Sequence, residues 1–176
     1  LIKTDSYYRD NILFRYLSIF LYDIYDRLLS IKKNEIKKTI KSIYRKDKII
    51  SNFQYDFTKK QSAQSKIKIK YNLDNQFIIL EGIFAHRLDL NYQETINIIC
   101  EEKKDICFKR RLIRDKLERN RNTSEVNRKF TRSWNLFYKN IIRYIDINRK
   151  ISLNPVDKIS YDKLVDYLQN ISKKNN

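Results

Sequence analysis

The sequence predicts a helix-rich α+β fold: long N-terminal helices, a three-stranded antiparallel meander, then two long helices and a short C-terminal helix. Three observations predict it. One glycine and one proline in 176 residues remove the usual turn formers, so helices run long and breaks fall to Asn, Asp and Ser. Apolar residues recur at helical spacing over most of the chain, and between residues 49 and 84 that period changes to two. With 41% hydrophobic residues, 13 Tyr and 9 Phe, the chain carries enough apolar surface for a core despite its charge.

The first helix is expected to start at Asp5 or Ser6 as N-cap and to run to Leu29 or Ile31. Leu13, Leu17, Phe20, Leu21, Ile24, Leu28 and Ile31 share one face of it. Residues 32–48 carry a net charge of +6 with Ile36, Ile40 and Ile43 as a narrow stripe, which predicts a basic amphipathic helix. From Ile49, alternation through Ser51, Phe53, Tyr55 and Phe57 predicts a strand. Residues 59–65 read as a loop, and residues 66–71 as a half-buried strand with Ile67, Ile69 and Tyr71 inward. Asp74-Asn75 supplies a tight turn into a third strand over residues 77–84.

Asn91-Tyr-Gln-Glu94 has the form of a capping box and opens a helix from about Tyr92 to Arg119, with Ile96, Ile99, Ile106 and Cys107 buried. Cys100 and Cys107 then share a helix face as small hydrophobes, reduced and unable to cross-link. A break at residues 120–124 lets Thr123 or Ser124 cap a further helix to about Asn148. Its aromatic face carries Phe130, Trp134, Phe137 and Tyr138. After Asn154-Pro155, residues 161–171 form a short terminal helix. One domain, 1–176, is expected, with its core at about 5–108 and 124–171 and a basic helical protrusion at about 109–123.

Helix, three antiparallel strands and helix over residues 35–107 resemble in order the double-stranded RNA-binding domain, across less than half of the chain. That family grips phosphates with a lysine cluster at the start of its last helix, where Asn91-Tyr-Gln-Glu-Thr95 stands here. The resemblance is one of topology.

Charge points to the partner. Lys+Arg number 38 against 21 Asp+Glu, a formal +17, and a field so one-signed speaks of what the protein meets rather than of its fold. The excess is clustered, with twelve Lys and Arg against four acids between residues 103 and 132. Lys109, Arg110, Arg111, Arg114, Lys116, Arg119 and Arg121 surround one helix, and Arg128, Arg132, Lys139 and Arg143 edge the next. Lys66, Lys68 and Lys70 line a strand, and Lys37, Lys38 and Lys41 a helix. Phosphate contacts make little demand on spacing, so these are the candidate RNA-binding residues.

The expected function is a structural RNA-binding protein of a large ribonucleoprotein, a ribosomal protein of an organelle such as a mitochondrion. The isoleucine-, lysine- and asparagine-rich composition of an A+T-rich gene supports the organelle. RNA, taken as rRNA, and neighbouring proteins of the same complex are the expected partners, with no small-molecule substrate. The location is intracellular, in the mitochondrial matrix or the cytoplasm. The alternatives are a helical interaction module, effector or assembly factor, and a DNA-binding replication or partition factor.

Catalysis is not expected. The sole histidine, His86, beside Arg87 and Asp89, reads as structural, and adjacent Glu101 and Glu102 point apart on a helix. One glycine cannot build a phosphate loop, and two cysteines with one histidine fall short of a zinc set. No cofactor or metal is expected. The most apolar run, residues 12–22, is too short to span a membrane. Leu1 in place of a methionine suggests a trimmed or partial product.

Overall fold

A computed structural model of the chain describes residues 1–21, 24–71, 77–88, 90, 95–140, 142–144, 150–154 and 157–174. It comprises two units: Leu1–Leu90 with Arg128–Tyr144, and Asn91–Asn127 with Ile145–Asn176.

In the first unit, β1 (Ile2–Lys3) pairs in parallel with β4 (Leu80–Glu81), Ile2 opposite Leu80. Gly82 makes this approach possible. Its φ is +137°, and a Cβ there would overlap Thr4 Oγ1 and stand 3.0 Å from Thr4 Cβ. A 3-10 turn (Thr4–Tyr7) follows, and the chain then doubles back. Tyr8 bridges Ile31 antiparallel, the Arg9 N–H donates to Ser30 O at 2.7 Å, and the Lys32 N–H donates to Tyr7 O at 2.8 Å.

That reversal is why the expected helix from residue 5 or 6 to 29 or 31 is not formed. Extended backbone at residues 8–9 and 31 takes its hydrogen bonds from across the fold, which outweighs local helical spacing. The helix is only α1 (Ile12–Phe20), capped by Asn11 Oδ1 accepting the Phe14 N–H at 2.9 Å. The 3-10 turns Ile24–Asp26 and Leu28–Ser30 complete the segment. Ile24 and Ile31 are buried as expected, but Leu13, Phe20 and Leu21 are exposed and Phe14 is the buried residue of α1.

The basic amphipathic helix is present as α2 (Lys33–Tyr44), with Ile36 and Ile40 buried. Each such burial contributes about 1.5–3 kcal/mol. Tyr7, 2% exposed, packs its ring 4.8 Å from that of Phe53 and donates its hydroxyl to Thr39 Oγ1 at 3.2 Å. Thr39 Oγ1 donates onward to Ser51 O at 3.3 Å. Tyr7→Phe keeps the ring and leaves Thr39 its acceptor, so it should cost only about 1 kcal/mol. A urea midpoint shift implying several kcal/mol would show that the hydroxyl organises the core.

β2 (Ile49–Asp56) and β3 (Gln61–Lys68) form an antiparallel hairpin, from Ile49 opposite Lys68 to Asp56 opposite Gln61. The loop expected at residues 59–65 is therefore mostly strand. Asp56 Oδ1 accepts the N–H groups of Thr58 and Lys59 at 2.8 and 2.9 Å, and Lys60 adopts φ 52°, which closes the turn within residues 57–60. Polar Gln61-Ser-Ala-Gln-Ser65 can be strand because the ladder uses backbone groups, and this face is largely exposed. Phe53 and Tyr55 are buried as expected; Ile49, Phe57 and Ile67 are not, and Ile50 is. The predicted meander is corrected too. Of residues 77–84 only Leu80–Glu81 is strand, and its partner is β1 rather than β3. Three two-stranded sheets are described, two of them parallel.

Phe84 and Leu88, both fully buried, bracket the 3-10 turn Ala85–Arg87. Residues 128–140 of α4 (Thr123–Asn140) belong to this unit. They hold half-buried Trp134 between Phe130, at 5.5 Å, and Phe137, at 6.1 Å, and Ser133 Oγ donates to Asp26 Oδ2 at 2.9 Å. The helix expected to reach residue 148 ends at Asn140 and is followed by the 3-10 turn Ile142–Tyr144.

In the second unit, β5 (Asn97–Cys100) pairs in parallel with β6 (Lys150–Leu153), Asn97 opposite Lys150. The expected helix from residue 92 is thus corrected: β-branched Ile98 and Ile99 enter a ladder with Ile151 and Ser152, and α3 (Lys104–Arg119) begins only beyond it. Cys100 lies on a strand and Cys107 on a helix, not on one face. Asn120, left-handed at φ 48°, ends α3, and Asn122 Oδ1, accepting the Glu125 N–H at 2.8 Å, caps α4 in place of Thr123 or Ser124. α5 (Lys158–Lys174) exceeds the expected 161–171. The turn at Asp74-Asn75, the capping box at 91–94 and Pro155 lie outside the described residues.

Candidate functional site

The charged helix α3 is organised by one acid. Spacing of four puts Arg111, Asp115 and Arg119 on one face, and the left-handed turn at Asn120 brings Arg121 back to it. Asp115 is fully buried. Its Oδ1 accepts from Arg114 Nε and Nη2 at 3.1 and 2.9 Å, with Arg119 Nη1 at 3.4 Å; its Oδ2 accepts from Arg121 Nη1 at 2.8 Å, with Arg111 Nε at 3.7 Å. Its backbone oxygen also accepts the Arg121 N–H at 3.1 Å. Burial alone would raise the Asp115 pKa. The hydrogen bonds from Arg114 and Arg121 and the charge of Arg119 outweigh it and hold the carboxyl below its ordinary 3.8.

Four guanidiniums therefore share the Asp115 carboxylate, and with Glu125 Oε1 3.7 Å from Arg121 Nε as a second acid at the edge, four positive charges still face two negative ones. Burial and the charge of Arg114 push the Arg119 pKa down; Asp115 opposes this, and Arg121 and Arg111 add to it. A pre-oriented cluster with excess positive charge and bidentate N–H forks suits an oxyanion, above all a phosphoryl group. Asp115 itself, enclosed and ionised, is no proton acceptor. It positions the arginines.

The other sequence-predicted residues are dispersed. Arg110 pairs with Glu102 at 3.4 Å, and Lys109 and Lys116 are exposed. Arg128, Arg132 and Lys139 lie exposed on α4, and the Arg143 guanidinium lies 4.8 Å from the Tyr144 ring centre. Lys66 and Lys68 are exposed on β3, with Lys70 beyond its end. On α2, Lys38 pairs with Glu35 at 2.8 Å, Lys37 is half-buried and Lys41 exposed. Only Arg111, Arg114, Arg119 and Arg121 are brought to one centre. The sequence reading missed Asp115, although an acid flanked by arginines at both four-residue spacings was a legible signal. It also missed a cavity of 260 Å³ in the first unit, lined by Leu28, Lys33, His86, Arg87 and Tyr144.

Among the described residues no group of His, Cys, Asp and Glu is placed to hold a metal ion, and no helix is long and apolar enough to cross a membrane. The family model described as "Phosphoribulokinase / Uridine kinase family" matches residues 27–151, more than two thirds of the chain. No curated protein matches. The family is one of P-loop kinases, α/β with a parallel sheet. It overturns the α+β meander class, the structural ribosomal RNA-binding role with its keywords, the exclusion of enzyme activity, and the assignment of RNA in place of a small-molecule substrate.

Those expectations failed because net charge favours anions of every kind, and a nucleotide or sugar phosphate is an anion as much as RNA is. The loop that cradles a nucleotide in such kinases is another matter. It needs a Gly-rich turn ending in Lys and Ser or Thr, and no stretch of these 176 residues carries one. The one glycine, Gly82, is committed to the close passage of Thr4. The residues present do not fit a nucleotide held in that way, yet the match spans both the α2–β3 region and the arginine cluster, and the chain belongs to the phosphoribulokinase/uridine kinase family.

Proposed function

We propose that the chain acts in phosphoryl transfer to a hydroxyl of a small molecule, the chemistry its family's name describes, and that its own contribution is to hold phosphoryl oxygens on Arg111, Arg114, Arg119 and Arg121. The observation that carries this is the gathering of four guanidiniums on one buried carboxylate. In phosphoryl transfer charge spreads over the equatorial oxygens, and cations fixed beforehand stabilise it without reorganising. Asp115 does the fixing. No step is assigned to a nucleotide seated on this chain, whose residues lack the glycine loop.

Calorimetric titration with tripolyphosphate tests the anion site. Arg114 is the most exposed of the four, so Arg114→Gln leaves the fold in place and should weaken binding about tenfold, the loss of one charge-assisted contact. Unchanged affinity, or no binding by the native protein, overturns the site. Transfer is checked with labelled ATP and a panel of nucleosides and pentose phosphates; absence of labelled product from all of them overturns the enzymatic half.

A further inference from the structure

Helix α1 of the first unit is turned inside out. At about 100° per residue, Ile12, Leu13, Tyr16, Ile19 and Phe20 fall within about a third of its circumference, and all five are 60% to 85% exposed. The opposite side carries Phe14, which is buried. The rings of Tyr16 and Phe20 stand 5.1 Å apart on the outward face, so part of this stripe packs against itself. A contiguous apolar face of this kind marks a surface that another body covers. Cations edge it. Arg15 is exposed beside the stripe, and Lys60 Nζ donates to Ser18 Oγ at 3.2 Å, which lays an ammonium along the flank of α1. Near the start of the helix, Arg9 Nε donates to Leu29 O at 2.9 Å, with its guanidinium 5.8 Å from the Phe14 ring centre.

We propose that α1 lies in the surface of an anionic lipid bilayer, with Ile12, Tyr16, Ile19 and Phe20 entering the acyl boundary and Arg9, Arg15 and Lys60 meeting the headgroup charge. Nine residues make about 13 Å of helix, too short to cross a bilayer and long enough to rest in its surface. Tyrosine beside phenylalanine suits that boundary, because one end of its ring is apolar and the other wet. The basic side chains can run their stems along apolar surface and carry their charge outward. Charge selects anionic lipid over a second copy of the chain: a formal +17 on each copy opposes self-association and draws the protein to a negative surface. A bilayer also accepts a protruding stripe without the matching groove that a protein partner would have to supply. The face shares no residue with the arginine cluster and does not depend on what that cluster binds.

Flotation with vesicles of equal parts phosphatidylcholine and phosphatidylserine, against vesicles of phosphatidylcholine alone, tests this. The protein should float with the first and far less with the second. Any strongly cationic protein is drawn to anionic vesicles, so the apolar face is read separately. Ile12→Ser and Ile19→Ser, both at exposed positions, should each weaken partitioning about tenfold, with circular dichroism showing the native helix content. Phe20→Trp should add fluorescence that brominated acyl chains quench, beyond any quenching of Trp134 in the native protein. Absence of binding to the anionic vesicles, equal binding to phosphatidylcholine alone, undiminished binding in both folded serine variants, or no added quenching at residue 20 overturns the proposal. So does a dimer in sedimentation that Ile19→Ser dissociates, which would make the face a contact between copies.

Discussion

Asp115→Asn should be the most damaging single change in the second unit, with a loss of about 3 kcal/mol, because it removes the buried carboxylate that four guanidiniums share and leaves only Glu125, 3.7 Å from Arg121, beside them. The effect should depend on pH. The folded carboxyl has a pKa below its ordinary value, so its contribution is present above the unfolded pKa of about 4 and is lost as pH falls through the folded one. Urea midpoints followed by helical circular dichroism should therefore separate the two proteins widely at pH 7, begin to converge as pH falls below about 4, and meet only below the folded pKa. Equal midpoints at pH 7 would mean that water already screens the arginines and that Asp115 organises nothing.

Gly82→Ala should be comparably severe in the first unit. The added Cβ overlaps the hydroxyl of Thr4, a residue with no exposure, and φ of +137° lies where side chains are rarely tolerated. Backbone strain of about 1–3 kcal/mol and overpacking of similar size both oppose it. The midpoint should fall by the equivalent of about 3 kcal/mol or more, read from the fluorescence of Trp134, the chain's one tryptophan. Adding Thr4→Ala removes the overlapping hydroxyl, itself without a hydrogen-bond partner among the described residues, and should restore part of the loss but not the part due to φ. A double variant as weak as the single one would place the whole cost in the backbone.

Where one element could satisfy itself, its character was legible. Ile36 and Ile40 marked α2, and alternation around Phe53 and Tyr55 marked β2. The Asn-rich break before α4 was legible for the same reason: side-chain caps act within a few residues. Where a partner lay far along the chain, periodicity misled. Ile98 and Ile99 suit a helix stripe as well as a strand, and only Lys150–Leu153 beside them decided for a strand. Polar β3 had no pattern of its own and was drawn into register by Asp56, Lys60 and the ladder to β2.

The site divides in the same way. The sequence by itself determined a strongly cationic protein and the arginine-rich stretch from 109 to 121, since charge is additive and needs no coordinates. Which anion such a field would favour was beyond it: polymer and small-molecule phosphates exert the same attraction. Tertiary structure decided which charges act together. It gathered four arginines on Asp115 through a left-handed turn at Asn120, left the lysines of α2 and β3 dispersed, and built a cavity from Lys33, His86, Arg87 and Tyr144. Residues far apart in sequence meet only when the chain's reversals bring them together, and those reversals are governed by backbone pairing and burial between segments, which no local pattern records.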